Sequence, residues 1–245
     1  GNASMTPHLL LEELGVPFEL KLVDRASQAH KSAEYLKLNP NGLIPVLVDG
    51  ELVLYETAAI VLHLVDTHPQ VGLAPAVGTA ERAHFCKWLV WLSASLQSQM
   101  PMYFYSDRYV APGNADGAAQ VKAAAETRIA GLVDQIDAQL ASHGGPWLLG
   151  ERFSALDPYA FMLCRWTRMA ARPARTLPHV GPFLQRVLAR PATQRSTSCT
   201  IWPRLISGTT NAFAVPASSP MRFSASSAAT SRCRSCAPPS SRPPG

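Results

Sequence analysis

The residues best suited to bind a ligand lie in one stretch, 39–64, where turn residues, short apolar runs and polar side chains alternate. Glu56 and Thr57 directly precede an apolar segment that predicts a helix over 58–64. The first N–H groups of a helix and its dipole favour a carboxylate, and a threonine hydroxyl is a further donor. Such a pair can hold an acidic ligand group or simply cap the helix, and the residues alone leave both open.

Turn and strand signals precede this pair. Asn39-Pro40-Asn41-Gly42 predicts a tight turn, and an apolar strand is predicted over 46–48. Asp49-Gly50 then predicts a hairpin into a second strand over 51–55. Ile44-Pro45 lies between the turn and the first strand, and by itself it favours a trans bond, since only about 5–6% of X–Pro bonds are cis.

The residues before this stretch add three elements. Leucines at helical spacing predict a helix over 5–15, alternation predicts a strand over 17–23, and a short helix is predicted over 32–37. The predicted order is therefore α-β-α-β-β-α.

The rest of the chain changes character twice. Pro and Gly are frequent over 66–80, which predicts a connector between domains. Residues 195–245 are rich in Ser and Pro, contain no acidic residue and show no apolar period, so we expect a disordered tail. Between them, apolar residues at helical spacing predict helices over 79–99, 118–142, 154–169 and 180–189.

Composition excludes several classes of function. The net charge of +5 comes from the tail, which holds six arginines, so the remainder is near neutral and predicts no nucleic-acid partner. No apolar run reaches the roughly 18 residues of a membrane span, so no membrane partner is expected. The seven histidines lack the spacing of metal ligands, and the first 85 residues lack cysteine, which argues against a metal site and against a thioredoxin or glutaredoxin.

The order of turn, apolar-Pro step, hairpin, Glu-Thr pair and helix resembles the glutathione-binding half of a cytosolic glutathione S-transferase of the bacterial type. Ser154-Ala-Leu-Asp157, a capping box with a structural role, matches the family's helical half. The resemblance implies a thioredoxin-like α/β domain over 1–68, a linker over 69–78, an all-α domain over 79–194 and the tail over 195–245. A thioredoxin-like sheet also needs a central strand before the first helix, and we expect it before Gly1.

The resemblance implies a binding role for each polar feature. It makes Ile44-Pro45 a cis step whose backbone pairs with the cysteinyl unit of glutathione. Glu56 would hold the ligand's ammonium and Thr57 its γ-glutamyl carboxylate. Lys31, with His30 beside it, would bind the glycyl carboxylate, although two exposed loop residues would look the same.

Ser4 is the catalytic residue that the resemblance implies. The family places a Tyr, Ser or Cys there, and its donor stabilises the glutathione thiolate. Gly1-Asn2-Ala3-Ser4 resembles a Gly-Ala-Cys-Ser form, with Ala3 in place of the cysteine, which indicates a serine-type site. Ser4 is also a suitable N-cap for the first helix, so a purely structural role stays open.

The resemblance implies a cytoplasmic, homodimeric transferase that conjugates glutathione, as co-substrate, to small apolar electrophiles in detoxification. The expected electrophile pocket draws on Trp88, Leu92, Tyr103 and Tyr105, with Met102 nearby. Two other functions remain open: a glutathione-dependent isomerase or peroxidase, and a non-catalytic glutathione-binding protein.

Overall fold

The computed structural model describes residues 3–198 and 210–216. The N-terminal part contains α1 (Met5–Leu14), β1 (Phe18–Asp24), α2 (Ala33–Leu38), β2 (Val46–Asp49), β3 (Leu52–Tyr55) and α3 (Thr57–Thr67). The helical part contains α4 (Ala80–Trp91), α5 (Met100–Phe104), α6 (Ala115–His143), α7 (Leu156–Trp166), α8 (Val180–Leu188) and α9 (Pro191–Ser198). A last strand, β4, spans Thr210–Pro216. The predicted fold class, an α/β domain followed by an all-α domain, is confirmed.

The sheet has four strands in the order β1-β4-β2-β3. β2 and β3 form the predicted hairpin, with Val46 opposite Tyr55 and Asp49 opposite Leu52. β4 lies between β1 and β2, antiparallel to β1 and parallel to β2, and Ala214 lies opposite both Leu20 and Leu47. The prediction that the whole tail is disordered is therefore wrong for 195–198, which complete α9, and for 210–216, which form β4. The remaining tail residues lie outside the described ranges.

β4 occupies the central position where the thioredoxin-like pattern requires a strand, but it runs in the other direction. A strand that precedes α1 in a β-α-β unit would run parallel to β1, because the crossover helix returns the chain to the same end of the sheet. β4 is antiparallel to β1. β4 therefore forms backbone hydrogen bonds with β1 and β2 at the centre of the sheet, but its direction differs from that of the strand in the thioredoxin-like pattern.

A continuous apolar core joins the sheet to the helices. Leu9, Leu10 and Leu11 of α1 are buried and pack in one cluster with Ile60 and Val61 of α3. α1 ends at Gly15, whose φ of +67° permits the left-handed cap that donates its N–H to the Leu11 carbonyl. The core therefore fixes both α1 and α3, and the residues just before them are held against it.

The helical part packs around α6 and α7. α6 buries a stripe at helical spacing, made of Ala125, Ile129, Val133, Ile136 and Leu140. At the start of α7, the Asp157 carboxylate accepts from the Ser154 N–H at 2.7 Å and from the Leu148 N–H at 2.8 Å. Within the described residues, no helix is long and apolar enough to cross a membrane.

Candidate active site

The Ile44–Pro45 peptide bond is cis. The carbonyl just before it belongs to Leu43 and accepts two hydrogen bonds, from the Tyr35 hydroxyl at 2.8 Å and from the Asn39 side-chain amide at 2.9 Å. Burial raises the pKa of Tyr35, so its hydroxyl keeps the proton that it donates. The loop that carries the cis bond is therefore fixed by buried side chains of its own domain.

The turn before this bond brings the 30–31 segment close. Gly42 donates to the Asn39 carbonyl at 2.9 Å and has a φ of +58°. A Cβ at Gly42 would lie 2.9 Å from the His30 carbonyl oxygen and 2.7 Å from the Lys31 amine nitrogen, so only glycine fits there. The Lys31 amine also donates to the Asn41 carbonyl at 3.2 Å. The turn thus holds the Lys31 cation against the backbone of Asn41 and Gly42, just before the cis peptide bond in the chain.

The Glu56–Thr57 pair at the start of α3 has two unusual features. Glu56 has a φ of +73°, a conformation that non-glycine residues rarely adopt. The Thr57 side-chain oxygen is buried and has no hydrogen-bond partner among the described residues. The pair therefore lacks the hydrogen bond of a side-chain cap, since Glu56 makes none to α3 and the Thr57 hydroxyl makes none within the described part of the chain.

Ser4 lies directly before α1 and is 5% exposed. Its carbonyl accepts from the His8 N–H at 3.1 Å, which starts the helix. Its side chain makes no capping hydrogen bond to α1, and its φ and ψ are helical rather than extended. A role as side-chain N-cap is therefore not what the structure shows.

Comparison with known proteins identifies the fold and its family. The glutathione S-transferase N-terminal domain family matches residues 3–67, and the glutathione S-transferase C-terminal domain family matches residues 119–190. Glutathione S-transferase GST-4.5 of Xanthomonas campestris is 33% identical over 190 residues, which are 77% of this chain and 90% of that protein. The chain belongs to the glutathione S-transferase family. The family named from the sequence and its enzyme class, a transferase, are thereby confirmed.

Two further relatives extend the comparison to glutathione S-transferases of a plant and of a bacterium. Glutathione S-transferase 3 of Zea mays is 33% identical over 195 residues, covering 77% of this chain and 86% of its own. A sphingomonad glutathione S-transferase, solved in complex with glutathione, is 30% identical with a TM-score of 0.67 and covers 79% of this chain and 92% of its own.

The helical part of this transferase approaches Glu56 through residues that the sequence did not reveal. The π-helical turn Leu92–Leu96 follows α4, and Gln97 directly after it accepts a hydrogen bond from the Tyr159 hydroxyl. The pKa of Tyr159 is raised, first by burial and further by the negative charge of Glu56. The sequence predicted one continuous helix over 79–99, because a π turn does not interrupt an apolar stripe visibly.

Three of the residues predicted for the electrophile pocket lie in the apolar core. Leu92 is fully buried, Trp88 is 7% exposed and Tyr103 is 9% exposed, and all three belong to the apolar core. Their helical spacing is therefore also that of a core stripe, and Tyr103 in addition lines a small pocket with Met100, Ile129 and Trp166. The electrophile pocket itself stays a prediction. Tyr105 is half-buried and contacts arginines from both parts of the chain.

Proposed function

We propose that this transferase binds glutathione and conjugates its thiolate to small apolar electrophiles. The observation that carries the proposal is the buried Thr57 hydroxyl, which lacks a partner within the described residues at the first turn of α3. A buried hydroxyl without a hydrogen bond costs about 1–3 kcal/mol. A bound carboxylate removes that cost and is the group that a helix N-terminus favours.

Glutathione supplies groups that match the remaining features. Its γ-glutamyl carboxylate would accept from Thr57 and the first N–H groups of α3, and its ammonium would pair with Glu56. The backbone of Ile44 would pair with its cysteinyl unit beside the cis bond. Lys31, with His30 next to it, would bind the glycyl carboxylate. Each of these roles is a proposal, and together they are supported by the short separation of these residues along the chain.

Catalysis would need only a stabilised thiolate. The Ser4 hydroxyl would donate a hydrogen bond to the glutathione sulfur, which lowers the pKa of the thiol. The thiol proton then leaves to solvent. The thiolate then attacks an electrophilic carbon: a carbon–sulfur bond forms, and the bond to a leaving group such as chloride breaks. The enzyme's contribution is orientation and charge stabilisation, with no covalent enzyme intermediate.

Turnover of 1-chloro-2,4-dinitrobenzene tests this proposal. We expect measurable conjugation by the full chain, and we expect Ser4→Ala to lower kcat/KM about 100-fold at pH 7, since removing one donor to a developing anion costs this much. The KM for glutathione should change less than about threefold, because Ser4 contacts the sulfur and neither carboxylate. Glutathione binding without turnover by the full chain would instead favour a non-catalytic binding protein.

We also propose a homodimer, as the family resemblance implies, in the cytoplasm. Val90 of α4 is 63% exposed and Val53 of β3 is 38% exposed, so each of the two domains presents apolar surface to solvent in a single chain. A partner's domains could cover both. Sedimentation of a species near twice the chain mass of 26.4 kDa would support the dimer, and a monomer would exclude it.

A further inference from the structure

Two arginines from different parts of the chain meet at one tyrosine ring. Arg25 lies just after β1, whereas Tyr105 and Arg108 lie just after α5. Both terminal nitrogens of Arg25 lie 3.3 Å from the Tyr105 hydroxyl oxygen and donate to it. The Arg108 guanidinium carbon lies 4.2 Å from the centre of the same ring, and that of Arg25 lies 5.9 Å from it. The two cations are therefore held close together across the domain boundary.

Neither arginine is neutralised by a carboxylate within residues 3–198. Four other arginines in this range form ion pairs, namely Arg82, Arg172, Arg190 and Arg195. The acidic residues adjacent to Arg25 and Arg108 in sequence are Asp24 and Asp107, and the Asp24 carboxylate accepts from the Ala26 N–H at 2.9 Å. A contact of two like charges that lacks an acid partner costs energy, which a bound anion would offset.

The same region holds two more basic groups. The pKa of His30 is lowered, first by burial and then by the positive charges of Arg25, Lys31 and Arg108. The Nδ1 atom of His30 is buried and has no partner among the described residues. Three permanent cations thus act on one histidine. The glycyl end of glutathione carries a single carboxylate, which Lys31 is proposed to bind. Arg25 and Arg108 are therefore two positive charges more than this carboxylate requires.

We infer that Arg25 and Arg108 form an anion subsite for the second substrate, which would be an electrophile that carries a carboxylate beside its apolar reacting part. This inference rests on the proposed conjugation. Guanidinium groups bind carboxylates through charge-assisted, often bidentate hydrogen bonds. The half-buried Tyr105 ring, which both guanidinium groups contact, adds apolar surface beside them for an aryl group. The carboxylate itself does not react: the thiolate attacks the aryl carbon and chloride leaves.

A matched pair of substrates tests the subsite. 4-Chloro-3-nitrobenzoate and 4-chloro-3-nitrobenzamide share their leaving group and shape and differ in charge. We expect Arg108→Gln and Arg25→Gln each to lower kcat/KM for the benzoate by about 10- to 100-fold, the value of a hydrogen bond to a charged group. The benzamide should change less than about twofold. Arg128→Gln removes the same charge from an exposed position on α6 and should affect neither substrate.

Two results would overturn the subsite while leaving the conjugation reaction intact. An equal loss on both substrates would assign the arginines to glutathione or to folding, and no loss on either would remove their role. If the full chain turns over neither of these two substrates, binding decides the subsite separately, and the proposed function fails only if 1-chloro-2,4-dinitrobenzene is not turned over either. Calorimetry with 3-nitrobenzoate and 3-nitrobenzamide, in the presence of S-methylglutathione, should then show binding of the benzoate alone and its loss in Arg108→Gln; equal binding of both would overturn the subsite.

Discussion

Glu56 and Thr57 each have a locally unfavourable feature, and no contact among the described residues compensates for either. A non-glycine residue at positive φ costs about 1–3 kcal/mol, and a buried hydroxyl without a hydrogen bond costs a similar amount. Both occur at adjacent residues at the start of α3. Costs of this kind persist where a ligand uses the geometry, so this pair is the strongest mark of function at the scale of single residues.

Removing the Thr57 hydroxyl should separate ligand binding from folding. We expect Thr57→Val to weaken glutathione binding about 10- to 100-fold, because a hydrogen bond to a carboxylate is lost. The same change should leave the free energy of unfolding unchanged or higher, since valine has a similar shape and no unpaired hydroxyl. Calorimetric titration and urea unfolding measure the two effects.

Thr57→Ser is the matched control, because it keeps the hydroxyl and should bind glutathione within about threefold of the unchanged protein. If Thr57→Val bound glutathione normally, the hydroxyl would have no part in the site and the proposed role of Thr57 would be wrong.

Candidate site residues that lie near one another in sequence could be proposed from the sequence, whereas residues that only folding brings together could not. Ile44, Glu56 and Thr57 share one short stretch whose turn and helix signals are local. Arg25 and Arg108 meet only because the end of β1 packs against the segment after α5. No spacing rule connects them, so the cationic cluster could not be predicted from the sequence.

At the scale of elements, β4 is the feature that distinguishes this sheet. It pairs with β1 along seven residue positions and contacts β2 on its other side. The sequence did not predict it, because the composition of the whole tail masks one short segment that contains Phe213 and Val215. The long helix α6 was predictable for the opposite reason, because its apolar stripe repeats at helical spacing from Ala125 to Leu140.

A proline within β4 should disrupt the sheet. Ala214→Pro removes a backbone N–H from a strand with neighbours on both sides, which should lower the free energy of unfolding by about 3 kcal/mol. Amide hydrogen exchange should accelerate in both β1 and β2. Ala214→Ser keeps the backbone donor and should preserve the protection of both strands. Unchanged exchange in Ala214→Pro would show that β4 does not pair with them.

At the scale of the whole molecule, α9 and the residue before it join the helical part to α1. Arg190 pairs with Glu13 through two hydrogen bonds, and Arg195 pairs with Glu12 at 2.8 Å. Both acids belong to α1, which starts at the residue after Ser4. The placement of the proposed catalytic residue therefore depends on the helical part as well as on the sheet.

The proposed site likewise involves both parts of the chain. The proposed glutathione contacts come from the N-terminal domain, while Arg108 of the helical part contacts the same Tyr105 ring as Arg25, and the charge of Glu56 acts on Tyr159. The glutathione half could be proposed from sequence because its residues are close together. The proposed subsite for the second substrate depends on tertiary packing, and the predicted pocket residues Trp88 and Leu92 are buried in the core.

The central claim is that this protein binds glutathione and makes its thiol ionise, and the ultraviolet absorbance of the bound thiolate tests it most directly. A free thiol has a pKa of about 8.5. We predict that a pH titration of the protein saturated with glutathione shows a midpoint at least about one unit lower, since one charged hydrogen bond is worth about that much. Ser4→Ala should return the midpoint toward the free value. A midpoint in the unchanged protein equal to that of free glutathione would contradict the account.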